Sequence, residues 1–329
     1  MKDKVLQILR QTENYISGEE LSRELGISRA GIWKVIQKLR EEGYTIASAP
    51  NRGYRLEEAT DRLCLQEILA QLPEDFPWRD RIQFFPVIDS TNNQAKIQAA
   101  AGALPGTVLV ADRQDGGRGR RGRSFYSPSG MGIYLSMILR PGCPPDRLMH
   151  LTCAVAEAGC DAVEAATGFR PGIKWTNDLV WGKKKLSGIL TELSLEAESA
   201  TVQYAVVGIG INCCQQPEDL PEELRDMAAS VSMAAGKPVN RNLLAARLIE
   251  ALYRMDRDLL SGQKTIMDRY REDCITVGKE ISLLLPCQTR HGTAESVADD
   301  GSLIVRFEDG HTEHVASGEV SIRGMYGYV

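Results

Sequence analysis

A segment of eight residues, 116–123, combines four arginines with four glycines. Glycine lets the backbone come close to a ligand, and arginine supplies forked, permanently charged donors that match carboxylate and phosphate. The composition therefore predicts a flexible loop that binds an anion. Composition alone leaves one alternative open, a solvated basic loop that touches nucleic acid or no ligand at all.

The loop also contains the pattern G-x-G-x-x-G, at Gly117, Gly119 and Gly122. As a dinucleotide-binding fingerprint, this pattern needs a strand before it and a helix directly after it. Residues 106–111 read as a strand, but residues 127–130 have turn chemistry and residues 133–139 read as a second strand. We therefore exclude a Rossmann loop, and the sequence contains no P-loop motif either.

Length and composition are those of a globular chain with two or three domains, since 43% of the 329 residues are hydrophobic and 25% are charged. Residues 1–56 hold ten lysines and arginines against seven acidic residues, so this segment carries +3 of a total of −5. That asymmetry favours nucleic acid as its partner. The sequence shows no signal peptide, no apolar run of membrane-spanning length and no C-x-x-C pair. We therefore predict a cytoplasmic protein with reduced cysteines and no membrane partner.

The N-terminal residues 1–60 are predicted to form a winged helix-turn-helix domain. Three short amphipathic helix signals are separated by the capping residues Ser17 and Ser28 and by Gly26. The outer face of the third helix carries Arg29, Trp33, Lys34, Gln37 and Lys38. Two strand signals follow around a basic tip at Arg52, and we expect these six side chains to contact DNA. A three-helix docking module with a solvated charged face is the alternative.

The rest of the chain divides into three segments. Residues 61–81 are predicted to be a linker, and residues 82–272 mix strand and helix signals without βαβ repetition. In residues 273–329 short strand signals alternate with Asp-Gly turn pairs, which predicts a small β-barrel. The predicted fold class is therefore α+β and multidomain.

Five motifs in one order resemble those of biotin protein ligases. They are Asp-Ser-Thr-Asn at 89–92, the arginine-glycine motif at 117–123, Lys-Trp-Thr-Asn-Asp at 174–178, Lys-Leu-Ser-Gly-Ile-Leu at 185–190 and Gly-Ile-Gly-Ile-Asn at 208–212. With the N-terminal domain, the resemblance covers nearly the whole chain and indicates the bifunctional form, a ligase that also represses biotin genes. It implies a central domain similar to the class II aminoacyl-tRNA synthetase core and an SH3-like C-terminal domain. The family usually has proline where Thr176 stands, and we expect the strand there to persist because threonine favours extended backbone.

The resemblance implies a reaction in two steps. Biotin and ATP, with Mg²⁺, give biotinyl-5′-AMP and pyrophosphate, and a lysine of a biotin carboxyl carrier protein then takes the biotin. It further implies binding to operator DNA as an adenylate-bound homodimer, with the carrier protein using an overlapping surface.

The family motifs also carry site residues onto this sequence. Lys185, Arg118 and Asp178 would be catalytic, and Asp178 would hold Mg²⁺ or orient the attacking group. The biotin site would comprise Ser90, Thr91, Asn92, Gln114, Arg118, Gly119, Arg120 and Lys185. The nucleotide site would comprise Arg120, Arg121, Arg123, Asn177 and Asn212. The alternatives are a plain helix cap at 89–92, a structural turn at 177–178 and a solvated Arg121.

Two other functions are consistent with the same core. A lipoate-protein ligase shares the chemistry, but the arginine-glycine loop argues against it. A transcription factor whose ligase site only senses biotin is the second alternative, and the intact Lys185 argues against that.

Overall fold

The structure is a computed structural model that describes residues 1–12, 14–58, 60, 62–196, 200–284, 289–316 and 319–322. The chain forms two compact units, Met1–Gln71 and Leu72–Val329. Within the described ranges, no helix is both long and apolar enough to cross a membrane.

The first unit contains three helices and a β-hairpin, which confirms the predicted winged helix-turn-helix. Its elements are α1 (Lys2–Gln11), α2 (Gly18–Leu25), α3 (Arg29–Glu41), β1 (Thr45–Ala49) and β2 (Gly53–Glu58). The hydroxyl oxygens of Ser17 and Ser28 accept the backbone N–H groups of Glu20 and Gly31, so both predicted caps form. Gly26 ends α2 in the left-handed conformation. The apolar faces of the three helices meet in one core.

A fourth helix, α4 (Leu65–Ala70), lies in the segment predicted as a linker. It belongs to the first compact unit, where the Glu67 carboxylate pairs with Arg10 of α1. Nearby, the hydroxyl of Thr60 donates a hydrogen bond of 2.9 Å to the carbonyl oxygen of Glu42. The contact at Glu67 attaches the first part of residues 61–81 to the first unit.

The second unit is built on a mixed sheet of seven strands. These are β3 (Ile82–Phe85), β4 (Val108–Ala111), β5 (Gly132–Leu139), β6 (Gly172–Lys174), β7 (Asp178–Trp181), β8 (Lys184–Leu195) and β9 (Val202–Asn212). Their order is β3-β4-β5-β9-β8-β7-β6. Only the β3–β4 pair is parallel, which agrees with the α+β prediction.

Helices pack against this sheet and against one another. They are α5 (Thr91–Ala100), α6 (Leu151–Thr167), α7 (Val231–Ala235), α8 (Arg241–Asp258) and α9 (Gln263–Asp273). Helix α6 is buried over most of its length and packs on both α8 and α9.

The C-terminal residues form a five-stranded antiparallel sheet, which confirms the predicted small β domain. Its strands are β10 (Glu280–Leu284), β11 (Thr289–Val297), β12 (Leu303–Phe307), β13 (Thr312–Val315) and β14 (Glu319–Ile322). This domain supports the 174–178 motif, because the indole N–H of Trp175 donates to the carbonyl oxygen of Gly301 and its backbone N–H donates to Thr276 Oγ1, both at 2.9 Å.

The expectation of an extended strand through Thr176 is wrong. Strands β6 and β7 pair antiparallel, with Lys174 opposite Asp178, so the chain reverses direction between them. Thr176 lies in this turn, and the peptide bond between Trp175 and Thr176 is cis.

Candidate active site

All eight residues predicted to bind biotin line one narrow cleft of about 50 Å³. The cleft lies against β5, β8 and β9, and the start of α5 and the arginine-glycine loop form its other sides. Phe125 fills part of it, and Gly210 permits this because a Cβ atom there would lie 2.6 Å from the Phe125 ring. Folding therefore brings together motifs that are more than a hundred residues apart.

A buried hydrogen-bond network supports this cleft. The side-chain oxygen of Gln114 accepts from the backbone N–H of Thr91 at 2.9 Å and from the Thr91 hydroxyl at 3.1 Å. Its amide nitrogen donates to Ser127 Oγ at 3.0 Å. Below them, the fully buried Ser136 hydroxyl lies 2.7 Å from Thr91 Oγ1. These polar groups are held in one arrangement before any ligand binds.

The side chain of Asn92 links three neighbouring residues by hydrogen bonds. Its Oδ1 accepts from Ser136 Oγ at 2.6 Å, and its Nδ2 donates to the Leu190 carbonyl oxygen and to Glu192 Oε2, the latter at 3.0 Å. A Cβ atom at Gly208 would lie 2.0 Å from Asn92 Oδ1, so this close approach requires glycine. Ser136 and Glu192 were not predicted from the sequence, since neither lies in a recognisable motif.

Glu192 is held as a carboxylate by its surroundings. Partial burial would raise its pKa, but hydrogen bonds from Lys96 and Asn92, with the nearby charge of Arg118, keep the pKa of Glu192 below its usual range. The Lys96 ammonium lies 2.7 Å from Glu192 Oε1. A fixed negative charge therefore lies behind the amide of Asn92.

The start of α5 is also a helix cap, as the alternative for residues 89–92 proposed. Ser90 is the N-cap, and its hydroxyl oxygen accepts weakly from the backbone N–H of Asn93 at 3.5 Å. Asp89 accepts from the side chains of Gln94 and Asn93. Although burial opposes it, these hydrogen bonds, with one from the backbone N–H of Ser90, lower the pKa of Asp89. Capping and lining the cleft are thus done by the same residues.

A second cavity of about 530 Å³ opens beside the first. All five predicted nucleotide-binding residues line it, together with Asp178. Its far wall is apolar and comes from Leu220, Leu224, Met227 and Ala228, and Val320 of the C-terminal sheet lines it too. This wall was not predicted, because residues 217–223 show only an acidic, proline-containing composition and no motif.

Five residues line both spaces, namely Gly119, Arg120, Phe125, Asn177 and Lys185. The Lys185 ammonium lies 2.7 Å from Asp178 Oδ1, and Arg120 donates to Asn177 Oδ1 at 3.0 Å. Arg118 donates to Asn93 Oδ1 at the mouth of the first cleft. Positive charge is therefore concentrated where the two spaces meet.

The surroundings of Asp178 limit what metal site the protein alone can build. The part of the chain that the structure describes holds no group of three or more histidine, cysteine, aspartate or glutamate side chains able to bind a metal. Among the described residues that line the second cavity, Asp178 is the one carboxylate. A hard cation here would need oxygen ligands from phosphate and water as well, which is common for Mg²⁺ at nucleotide sites.

The predicted DNA-contacting residues lie in the first compact unit. On α3, Arg29, Trp33, Lys34 and Lys38 are exposed and Gln37 is half-buried. Arg52 is exposed in the hairpin turn, and its guanidinium lies 4.6 Å from the centre of the Tyr15 ring. Arg55 of β2 lies over the same ring at 4.9 Å, so Tyr15 fixes two cations of the hairpin.

Comparison with protein families and known proteins agrees with this arrangement. Three family profiles match the chain: an HTH domain at residues 2–55, the biotin/lipoate A/B protein ligase family at 84–212 and the biotin protein ligase C terminal domain at 276–323. The bifunctional ligase/repressor BirA of Bacillus subtilis is 34% identical over 312 residues, covering 94% of this chain and 95% of its own. Its Escherichia coli counterpart is 31% identical over 322 residues, covering 97% and 96%.

A solved structure has the same fold over the second unit. The biotin protein ligase from Aquifex aeolicus in complex with biotin and ATP gives a TM-score of 0.63 at 28% identity, over 74% of this chain and 98% of that one. With the profile matches and the full-length relatives, the chain belongs to the biotin protein ligase family, in the form that carries an N-terminal helix-turn-helix domain.

Proposed function

We propose that this protein forms biotinyl-5′-AMP from biotin and ATP, transfers the biotin to a lysine of a biotin carboxyl carrier protein, and represses transcription from operator DNA in response to biotin. The observation that carries the proposal is the junction at Lys185, Arg120 and Asn177. A carboxylate in the first cleft and an α-phosphate in the second cavity would meet there.

The first cleft would hold biotin by its ureido ring. Ser90, Thr91 and Gln114 offer neutral donors and acceptors at fixed positions, which suits the ureido group. Asn92 would act mainly by holding Ser136 and residues 190–192 of β8 in place, because its own amide is already hydrogen-bonded to them. Gly119 and Arg120 would close the cleft over the valeryl chain.

In the first step, the biotin carboxylate attacks the α-phosphorus of ATP and pyrophosphate leaves. Two anions must approach, so the site has to supply positive charge at a fixed position. Lys185 and Arg118 would neutralise the carboxylate and the α-phosphate, while Arg121 and Arg123 hold the outer phosphates. Asn177 and Asn212 would orient the nucleotide, and the apolar wall would cover its base.

Asp178 would have two roles. Its ion pair with Lys185 aims the ammonium at the junction in the absence of substrate. When ATP binds, Asp178 would be one ligand of a Mg²⁺ ion whose other ligands are phosphate and water oxygens. That ion would neutralise part of the triphosphate charge.

In the second step, the amine of the carrier lysine attacks the mixed anhydride and AMP leaves. One edge of β8 is suited to docking a partner. Strand β7 pairs with β8 only as far as Gly188, and beyond it residues 190–195 have no strand partner on that side among the described residues. Leu193 and Leu195 are exposed there. We propose that the carrier protein and a second copy of this chain use this edge alternately, by strand addition.

Adenylate would favour the homodimer. Four arginines in one glycine-rich loop repel one another, and a bound adenylate would neutralise them and order the loop. A helix-turn-helix usually reads two half-sites as a two-fold dimer. Occupied ligase would therefore bind the operator, and unmodified carrier would remove the adenylate and the repression together. This chemistry fits the cytoplasm, where ATP and the carrier are available.

The test is an adenylation assay on the full chain. With biotin and ATP we expect pyrophosphate release, followed by AMP release when a carrier domain with its acceptor lysine is added. Equal turnover with lipoate would make the protein a lipoate ligase, and biotin binding without pyrophosphate release would make it a sensor.

The repressor role is tested separately, by sedimentation and operator binding with and without a non-transferable adenylate analogue. Equal dimer fractions and equal operator affinity in both conditions would contradict the switch. A variant lacking residues 1–60 should keep ligation and lose operator binding. This deletion also tests the domain limit that we propose at residue 60; we propose further limits at residues 81 and 272.

A further inference from the structure

The wall of the second cavity is attached to the strand that carries Lys185. The wall segment, residues 217–229, contains two short 3₁₀ turns, Pro217–Asp219 and Glu222–Leu224, and otherwise lacks regular structure. The backbone N–H of Lys185 donates to the Met227 carbonyl oxygen at 2.8 Å, and the backbone N–H of Ala229 donates to the Lys185 carbonyl oxygen at 2.9 Å. The wall therefore pairs with the backbone of the residue whose ammonium lies at the junction.

Lys184 adds a side-chain bond to this attachment. Its ammonium donates to the carbonyl oxygen of Arg225 at 2.8 Å, directly after the second 3₁₀ turn. Cations are favourable at this end of a turn, where carbonyl groups lack partners. The Arg225 side chain in turn donates to the carbonyl oxygen of Leu220 at 3.1 Å. Lys184 thus holds the stretch whose Leu220 and Leu224 side chains line the cavity.

We propose that Lys184 is a positioning residue that holds the wall segment closed over the nucleotide. The inference rests on the proposed function, in which the second cavity binds ATP and the adenylate. The two backbone bonds at Lys185 form whatever side chain stands at position 184. The ammonium of Lys184 ties the earlier part of the wall, residues 220–225, to the same strand.

Loss of the bond from Lys184 should affect nucleotide binding and leave biotin binding unchanged. When the bond from Lys184 is lost, the wall opens more often, so ATP binds less tightly and the adenylate escapes before transfer. The first cleft stays as it is, because its network of Gln114, Thr91 and Ser136 makes no contact with the wall segment. Lys184 touches no reacting atom, and its effect is exerted through Arg225.

The chain supplies a matched control in Lys183. It is the adjacent residue, carries the same charge and is exposed, and no hydrogen bond or ion pair is found for its side chain in the described structure. Lys184→Met and Lys183→Met therefore make the same change of charge one residue apart. Lys184→Arg keeps a cationic donor at the position.

The experiment measures, for the full-length wild type and these three variants, the KM for ATP, the KM for biotin and the rate at which biotinyl-AMP escapes into solution. We expect Lys184→Met to raise the KM for ATP and the escape rate by about 3–10-fold, as for one charge-assisted hydrogen bond near the surface. The KM for biotin should stay within about twofold, Lys183→Met should match the wild type, and Lys184→Arg should recover most of the loss.

Two results would overturn the proposal. One is Lys184→Met behaving like Lys183→Met in both nucleotide measurements. The other is an equal rise of both KM values with a lower melting temperature, which would assign Lys184 to the stability of the whole domain. Wild-type protein that releases no pyrophosphate would instead refute the proposed function, so the two failures are distinguishable.

Discussion

The two spaces at the active site are built in different ways. The first cleft is narrow, and outside the arginine-glycine loop its polar groups lie mostly on regular elements, α5, β5, β8 and β9, or on residues hydrogen-bonded to them. The second cavity is about ten times as large, from about 50 to about 530 Å³, and its outer wall is a segment with little regular structure. Rigid polar groups suit recognition of a small neutral ring, whereas a movable wall suits admission and enclosure of a nucleotide.

This difference has a consequence for binding energy. In the first cleft, each buried group has its partner already, so a mutation there leaves another polar group unsatisfied. In the second cavity, the apolar wall contributes to nucleotide binding through the area it buries and by enclosing the ligand. A single substitution in the wall should therefore cost less binding energy than one in the first cleft. Residues at the junction serve both spaces, and their loss should be the most severe.

Lys185→Ala is expected to have the largest effect. It removes the charge that both spaces share, so the rate of adenylate formation should fall by about 100–1,000-fold or more, with a much smaller change in the KM for biotin. Pyrophosphate release measures the rate. Lys183→Ala is the control, and its melting temperature and activity should match the wild type. Near-normal adenylation by Lys185→Ala would show that the charge at the junction does not contribute to adenylate formation.

Gln114→Leu tests the rigid cleft. It removes the acceptor of two Thr91 donors and the donor to Ser127. We expect the KM for biotin to rise by about 10–100-fold and the KM for ATP to stay unchanged. Gln98, whose amide pairs with Gln83 and which lines neither space, gives the control variant Gln98→Leu. Equal rises of both KM values would contradict the separation of the two spaces.

The same contrast explains what the sequence could predict. The residues of the first cleft could be named from the sequence because seven of the eight lie in the compact family motifs, with Gln114 outside them, and the structure gathers all eight in one place. Ser136 and Glu192 were missed because their role depends on which strands become neighbours, in an order that short motifs do not specify. The winged helix-turn-helix was predictable because its caps and apolar spacing are local signals.

The wall segment, residues 217–229, could not be predicted from the sequence for a physical reason. Residues 217–223 are acidic and proline-containing, and it is the pairing of Met227 and Ala229 with Lys185, some forty residues earlier, that brings this segment with Leu220 and Leu224 to the cavity. Val320 arrives there from a separate sheet. Thr176 shows a related limit, since its backbone is set by the reversal between β6 and β7 and not by its own preference for extended structure.

Leu224→Asn tests the wall with a milder expected effect. It removes apolar area from the face of the cavity without adding charge, so the KM for ATP should rise by about 3–10-fold and the KM for biotin should stay constant. Leu260→Asn, at an exposed leucine outside both spaces, is the control. No change in the KM for ATP would show that the wall does not contact the nucleotide.

Helix α6, which packs against β7 and β8, carries an acid group with an unusual pKa. Glu157 of α6 is buried, and its Oε1 lies 2.6 Å from Arg170 Nη2 and 2.7 Å from Arg269 Nη2. Its Oε2 has no hydrogen-bond partner in the described structure. Burial raises the pKa of Glu157 to about 7, and the carboxylates of Asp273 and Asp161 add to this against the opposing charges of the two arginines.

The smallest expected effect on either space comes from Glu157→Gln, which should change pH dependence alone. Because the folded-state pKa is raised above the ordinary value of 4.5, the stabilisation from this group is fully present below that value and is lost as pH rises through about 7. Between pH 5 and 7.5 the wild type should therefore lose about 2 kcal/mol of unfolding free energy relative to Glu157→Gln, measured by urea denaturation of both proteins. Both proteins share the histidines and the other carboxylates, so the contributions of these groups to the pH dependence of the unfolding free energy cancel in the difference. Glu157 lines neither space, and its helix α6 packs against β7 and β8. Neither KM should therefore move selectively at pH 7.5, and a change in one KM alone would show that Glu157 influences that space directly. An identical pH slope in the two proteins would mean that Glu157 is ionised throughout this range, held as a carboxylate by Arg170 and Arg269.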